Sequence, residues 1–180
     1  MKLIITGSCG HIGSYVAENV FKIPKIKKTI LVDNLKSNRH GPLFNQQKKN
    51  NLEFHLCDLN DKKSLNKFKK IDYLIHCASM TNAEKSFGVE KQMYKNNTLY
   101  NYLKYCEKKY LKPQSPYAKI KLIEEKMLKK EKNLDYITFR FGTIARVSRG
   151  IRFHTAVNKF CVDAAINRPI TVYKTALHQY

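Results

Sequence analysis

Apolar residues in this chain fall into short unbroken runs set between polar, helix-period stretches. Lys2–Thr6, Thr29–Asp33, Leu52–Cys57, Asp72–Cys77 and Leu134–Phe139 read as strands, the first two of them buried. Between them, His11–Lys22 reads as a helix that stops before Pro24, and Asp61–Lys70 as a short helix capped by Asn60 or Asp61. Residues 34–51 are polar around Gly41-Pro42 and read as a loop. Further on, the pattern predicts helices over Val89–Lys109, Tyr117–Glu131 and His154–Ile166, and a short extended stretch at Pro169–Tyr173. Short apolar strands that alternate with helices imply right-handed βαβ units and a parallel sheet covered on both faces.

The turn after the first strand sharpens this picture. Thr6-Gly7-Ser8-Cys9-Gly10-His11-Ile12-Gly13 places three glycines between a strand and a helix. Gly7 permits the tight turn, Gly10 lets the backbone approach a pyrophosphate, and Gly13 lets helix and strand pack closely. Gly10, His11 and Ile12 then present the N–H groups and positive dipole end of a helix N-terminus to an anion. The expected fold is therefore an α/β, Rossmann-type doubly wound parallel sheet. Asp33 ends the second strand, where a carboxylate accepts hydrogen bonds from ribose hydroxyls and repels a 2′-phosphate; this favours NAD over NADP. Asn34 follows it. Asp58 and Leu59 close the third strand, where an adenine contact and a capping role compete evenly for Asp58. Cys77, Ala78 and Ser79 end the fourth strand with small residues, as close passage of a cofactor requires.

Tyr117 and Lys121 are spaced i and i+4 on a predicted helix, so both reach one cleft. A free phenol titrates near ~10. A neighbouring ammonium favours the phenolate, which is then able to take a proton from a substrate hydroxyl. Tyr105–Lys109 has the same spacing, and only placement after Ser115-Pro116 singles out Tyr117.

Composition changes the picture little. The formal charge of +20 raises nucleic acid as a partner. The excess is nearly all Lys, with six Arg, and it is spread over the whole chain. A solvated Lys coat is therefore favoured and nucleic acid disfavoured, with weak anion binding left open at Lys25–Lys28, Lys62–Lys70 and Lys126–Lys132. Five scattered cysteines without a CxxC pair argue against a disulfide framework or a metal site and read as reduced core residues. No run approaches the roughly 18 apolar residues of a membrane span, and the N-terminus reaches Thr6-Gly7 too soon for a secretory signal. The expectation is a cytoplasmic protein without membrane contact.

Taken together, Thr6–Gly13, Val32-Asp33-Asn34, Cys57-Asp58-Leu59, His76–Ser79, Ser115-Pro116-Tyr117 with Lys121, and Phe139–Thr143 resemble the NAD-dependent epimerase/dehydratase family of extended short-chain dehydrogenases. The segment Gly150–Phe160 looks like that family's nucleotide-sugar epimerases. The resemblance implies an NAD-binding domain over 1–149 and the start of a substrate-binding region over 150–180. It makes Thr143, Arg152, His154 and Asn158 substrate-side candidates. It implies hydride transfer from a sugar carbon to NAD with Tyr117 as base, giving a keto sugar. It also implies a homodimer through the helices 89–109 and 117–131.

Two departures from the family pattern qualify this. The family has a further strand before the tyrosine, ending in a Ser/Thr that binds the reacting hydroxyl. Here the seven residues Tyr110–Pro116, two of them proline, are too few for a crossover, a strand and a loop. That strand is expected to be missing, so that Leu134–Phe139 either pairs directly with Asp72–Cys77 or leaves a gap in the sheet. The smaller C-terminal substrate domain is also expected to be mostly absent. The alternative to an epimerase or dehydratase is thus a catalytically inactive NAD-binding module.

Overall fold

The computed structural model describes residues 1–44, 51–80 and 115–172. Four parallel strands form its sheet: β1 (Lys2–Thr6), β2 (Lys28–Asp33), β3 (Leu52–Leu56) and β4 (Tyr73–His76), in the order β3-β2-β1-β4. The register runs Leu3↔Thr29 and Thr6↔Val32 between β1 and β2, and Leu3↔Tyr73 and Thr6↔His76 between β1 and β4. β1 is therefore central, and the turn that follows it opens between the carboxyl ends of β2 and β4.

Alternation along these strands builds two cores. Leu3, Ile5 and Leu31 face α1 (His11–Asn19), where Ala17 and Val20 close one layer. Ile4, Ile30 and Val32 point to the other face, against Cys57, Leu59, Leu65, Phe68 and Ile71. Ile5 and Val32 are fully buried. Both faces of the β1–β2 pair are thus covered, as a doubly wound sheet requires. A 3₁₀ turn, Val20–Lys22, ends α1 ahead of Pro24. Asp61 caps α2 (Lys62–Leu65) by accepting from the Lys63 N–H, so of the two expected caps Asp61 serves; the α-helix proper is shorter than the predicted Asp61–Lys70.

α3 spans Pro116–Leu128, with Ser115 accepting from the Ala118 N–H and Pro116 in the first turn. Its Ile120 and Leu128 are buried. α4 spans Ala156–Ala165. The predicted helix at 89–109, one half of the expected dimer contact, lies outside the described residues, as do Cys106 and Tyr105–Lys109. Among the described residues, no helix is long and apolar enough to cross a membrane.

The expected strand at Leu134–Phe139 does not form. Residues 134–139 have no backbone ladder, and Ile137 is 80% and Phe139 71% exposed. Arg140 ties this segment instead to Glu125 of α3 through a two-pronged ion pair. β4 pairs only with β1 among the described residues, and its Tyr73 and Leu74 are half exposed. Among the described residues the sheet ends at β4, and 134–139 does not pair with it. A strand is stable only when a neighbour accepts its N–H groups, and no described strand lies beside β4 to template 134–139. The cysteine reading also needs correction at one position. Cys9 and Cys57 are buried and Cys77 is partly so, but Cys161 is exposed.

Candidate cofactor and substrate cleft

The glycine turn is packed to contact on every side. Gly7 has φ +66°, and a Cβ there would lie 2.6 Å from Ala78 N and the Cys77 carbonyl carbon. A Cβ on Gly13 would lie 2.1 Å from the Gly7 oxygen. On Gly10 it would approach the same oxygen to 3.1 Å. The three glycines thus bring β1, α1 and the end of β4 together, with Cys77 and Ala78 against the turn. Ser79 follows, partly buried. Gly10 is the N-cap of α1 in extended conformation and no side chain caps it, so the N–H groups of His11 and Ile12 have no acceptor one helical turn back. Burial, with Asp33 nearby, pushes the Cys9 thiol up to about 12, so this cysteine stays protonated.

Asp33 is clamped at the rim of this turn. Its carboxylate accepts from Cys9 N–H and from Leu35 N–H, both at 2.9 Å. Two hydrogen bonds leave acceptor capacity on an ionised carboxylate. Asn34 makes a local turn by accepting from Lys36 N–H. Asp58 is occupied: it accepts from the Asn60 backbone and side chain and pairs with Lys36 Nζ at 2.5 Å. Burial raises its pKa, and these partners outweigh burial and lower it. Leu59 packs into the second core.

A strap from the C-terminal half crosses α1. His11 Nε2 meets the Arg146 carbonyl, Ser148 Oγ donates to the His11 carbonyl at 3.0 Å, and Gly150 N–H donates to Ser14 Oγ at 3.0 Å. Gly150 rests on the turn itself, since a Cβ there would lie 2.5 Å from the Cys9 and Gly10 oxygens. The strap thereby delivers Arg152 to the cleft. Asn158, 5% exposed, holds it there, donating to the carbonyls of Ile144 and Arg152. His154 lies on the cleft wall, whereas Thr143 is exposed.

The tyrosine and lysine of α3 face the same region. Lys121 Nζ lies 5.8 Å from the centroid of the Tyr117 ring and pairs with Glu124 at 2.7 Å. Burial raises the Tyr117 pKa; Arg152 opposes the rise and Glu124 adds to it. The phenol is therefore protonated at neutral pH in this arrangement, and the cation opposing that is Arg152. His76, bound to Thr6 Oγ1 through Nδ1 at 2.7 Å, is pushed down to about 4 by burial and then by the charge of Lys121. This puts Lys121 within electrostatic reach of the end of β4.

That histidine carries a prediction. Between pH 6.5 and 4 the unfolded chain binds a proton that folded His76 refuses, so stability falls as pH drops through this window. His76→Asn is expected to remove up to about 3 kcal/mol of that loss. Urea unfolding at pH 7 and pH 4.5 measures it; an identical acid loss in wild type and variant rules the role out.

Three groups went unnoticed in the sequence. Glu124, on the helix face shared with Tyr117 and Lys121, was legible only as an i+3 partner of Lys121. Arg39 and Arg149 carried a fainter signal, as rare arginines in a lysine-rich chain.

A strand, a glycine turn fitted to backbone contact, an uncapped helix start and an acidic residue at the next strand end define a dinucleotide-binding α/β domain. The chain belongs to the NAD dependent epimerase/dehydratase family, whose model matches residues 3–103. No curated protein sequence matches it. Among solved structures, UDP-glucuronic acid 4-epimerase from Bacillus cereus in complex with NAD is similar over 96% of this chain and 66% of its own, at TM-score 0.77 and 18% identity. The Bordetella bronchiseptica enzyme WbmF in complex with NAD+ is similar over 96% and 62%, at TM-score 0.75 and 18% identity. DesIV, a dTDP-glucose 4,6-dehydratase from Streptomyces venezuelae, is similar over 71% and 50%, at TM-score 0.60 and 19% identity. The chain thus spans between half and two thirds of the length of these structures.

Proposed function

We propose that this chain binds NAD and forms the cofactor half of a nucleotide-sugar epimerase or dehydratase. The observation that carries the reading is the glycine cradle with Asp33 fixed at its rim by Cys9 N–H. Gly7 and Gly13 hold the turn against the end of β4 and the start of α1, Gly10 leaves the backbone open to the close approach a pyrophosphate needs, and Asp33 retains lone pairs for ribose hydroxyls. NAD, when bound, supplies the hydride acceptor. The chain's own residues hold the pyrophosphate at the start of α1, select the ribose at Asp33, and place the Tyr117 phenol where Arg152 favours its ionisation. Family membership and the likeness to NAD-containing epimerase and dehydratase structures support the reading.

Fluorescence titration with NADH and NADPH tests it. NADH is expected to saturate, with NADPH at least about tenfold weaker because the Asp33 carboxylate repels a 2′-phosphate. Asp33→Asn is expected to narrow that gap. Binding of neither nucleotide sinks the proposal.

One observation favours a second reading, an NAD-binding module without turnover. The only hydroxyl just ahead of Tyr117, Ser115 Oγ, is engaged as the cap of α3. NADH binding without conversion of any sugar nucleotide would select it.

A further inference from the structure

We propose that Glu124 is a latch on Lys121: it holds the lysine away from the cofactor, and cofactor binding, by drawing Lys121 off, leaves Glu124 to take up a proton. The inference rests on the proposed function and adds a positioning residue to it. Tyr117, Lys121 and Glu124 stand at i, i+4 and i+7 of α3, one face over two turns. Lys121 Nζ meets Glu124 Oε2 at 2.7 Å and lies 5.8 Å from the centroid of the Tyr117 ring. The two side chains of the pair are 30% and 18% exposed, so most of it is out of solvent.

The carboxylate depends on this lysine. Among the described residues Lys121 is the cation paired with Glu124, whereas Glu125 beside it draws on Arg140. Burial pushes the Glu124 carboxyl above the usual carboxylate range, against the charge and hydrogen bond of Lys121, and Glu125 adds to the rise. A partly buried carboxylate that loses its cation keeps the desolvation cost alone, and protonation relieves it. The lysine's charge is spent in the pair as well: the cation that lowers Tyr117 is Arg152.

A cofactor competes for the same ammonium. The charge of Lys121 reaches His76 at the end of β4, next to Cys77 and Ala78, on which Gly7 packs. A dinucleotide seated on the glycine turn brings an anionic diphosphate and ribose hydroxyls to that end of the sheet, and both attract an ammonium. As Lys121 moves toward them its pull on Glu124 weakens, because the attraction falls with distance.

Cofactor binding thereby strengthens the hold of Glu124 on a proton, and the complex carries more protons than the free chain. Affinity then rises as pH falls through the raised pKa of the complex, and is flat above it. The neighbours do not obscure this between pH 6 and 8. His76 of β4 is pushed down to about 4 and Tyr117 is raised, while Arg152 of the strap and Arg140 at Glu125 keep their charge.

The test is calorimetric titration of the 180-residue chain with NADH at pH 6, 7 and 8. Repeating each titration in buffers of different ionisation enthalpy counts the protons exchanged. Wild type, Glu124→Gln and Lys121→Gln are compared. Wild-type affinity is expected to rise about fivefold or more from pH 8 to pH 6, with net proton uptake. Glu124→Gln imitates the protonated latch. It is expected to bind at pH 8 about as tightly as wild type binds at pH 6, to vary by less than about twofold over the range, and to take up no proton. Lys121→Gln removes the other half of the pair and is expected to bind more weakly, again without uptake. It decides the matter should circular dichroism show that Glu124→Gln fails to fold. The same pH dependence and proton count in wild type and the variants overturn the latch and leave the cofactor reading standing. Binding of NADH by Glu124→Gln but not by wild type supports the latch. Binding by none of the three overturns the cofactor reading and the latch with it.

Discussion

Gly13→Ala is expected to destabilise the chain by roughly 3 kcal/mol or more, at the upper end of what overpacking costs. The added Cβ would sit 2.1 Å from the Gly7 oxygen and 2.9 Å from Ser8 Cα. Both are backbone atoms of a turn whose other side is already filled by Cys77 and Ala78, so neither can retreat. Alanine's better helix propensity returns at most about 1 kcal/mol. Gly142→Ala is the control, because a Cβ there meets nothing within 4 Å. It is expected to stay within about 0.5 kcal/mol of wild type. In a chain of this size each kcal/mol moves the midpoint by roughly 2–4 °C, so the two melts should differ by at least about 5 °C. Equal melting temperatures would mean that the turn is not packed as described.

That contrast shows which parts of the molecule a sequence exposes. The glycine turn is a local device: strand, turn and helix are contiguous, and every constraint on Gly7, Gly10 and Gly13 comes from within it or from the adjacent strand end. Asp33 is legible for the same reason, being the last residue of the next strand. β1 and β2 follow from apolar runs covered on both faces, while β3 and β4 form the partly exposed edges of the sheet. Leu134–Phe139 has the composition of such a run, but composition does not supply a neighbour, and without one its side chains stay in solvent. Asn158 illustrates a different failure. The resemblance made it a substrate-side candidate, yet its amide is buried and spent on two carbonyls and Thr155 Oγ1 that the chain loops back to place around it. The cleft lined by Arg39, Arg149 and Arg152 is the least legible feature. Its walls meet only through the strap laid across α1, a contact set by Gly150, Ser148 and Arg146 that no local pattern announces.

If the proposed chemistry holds, Tyr117→Phe is expected to lower turnover of nucleotide sugars by about 10²–10⁴-fold, the usual worth of a positioned base. NADH affinity should stay within about twofold, because the cradle and Asp33 carry it. The unliganded geometry shows what the base has to overcome. Burial holds the phenol protonated, and the Glu124 carboxylate reinforces this while drawing Lys121 to itself at 2.7 Å. Arg152 pulls the other way. Removing the carboxylate charge in Glu124→Gln releases Lys121 and lowers the Tyr117 pKa, so the rise of kcat/KM with pH should move to lower pH. Arg152→Gln should move it to higher pH. Opposite displacements from two residues that flank one phenol distinguish a titrating base from a tyrosine that merely packs. A structural role would change amplitude in both variants and leave the midpoints where they were. Conversion of UDP- and dTDP-sugars, followed from pH 6 to 10, reads both; unchanged turnover in Tyr117→Phe would sink the role assigned to the phenol.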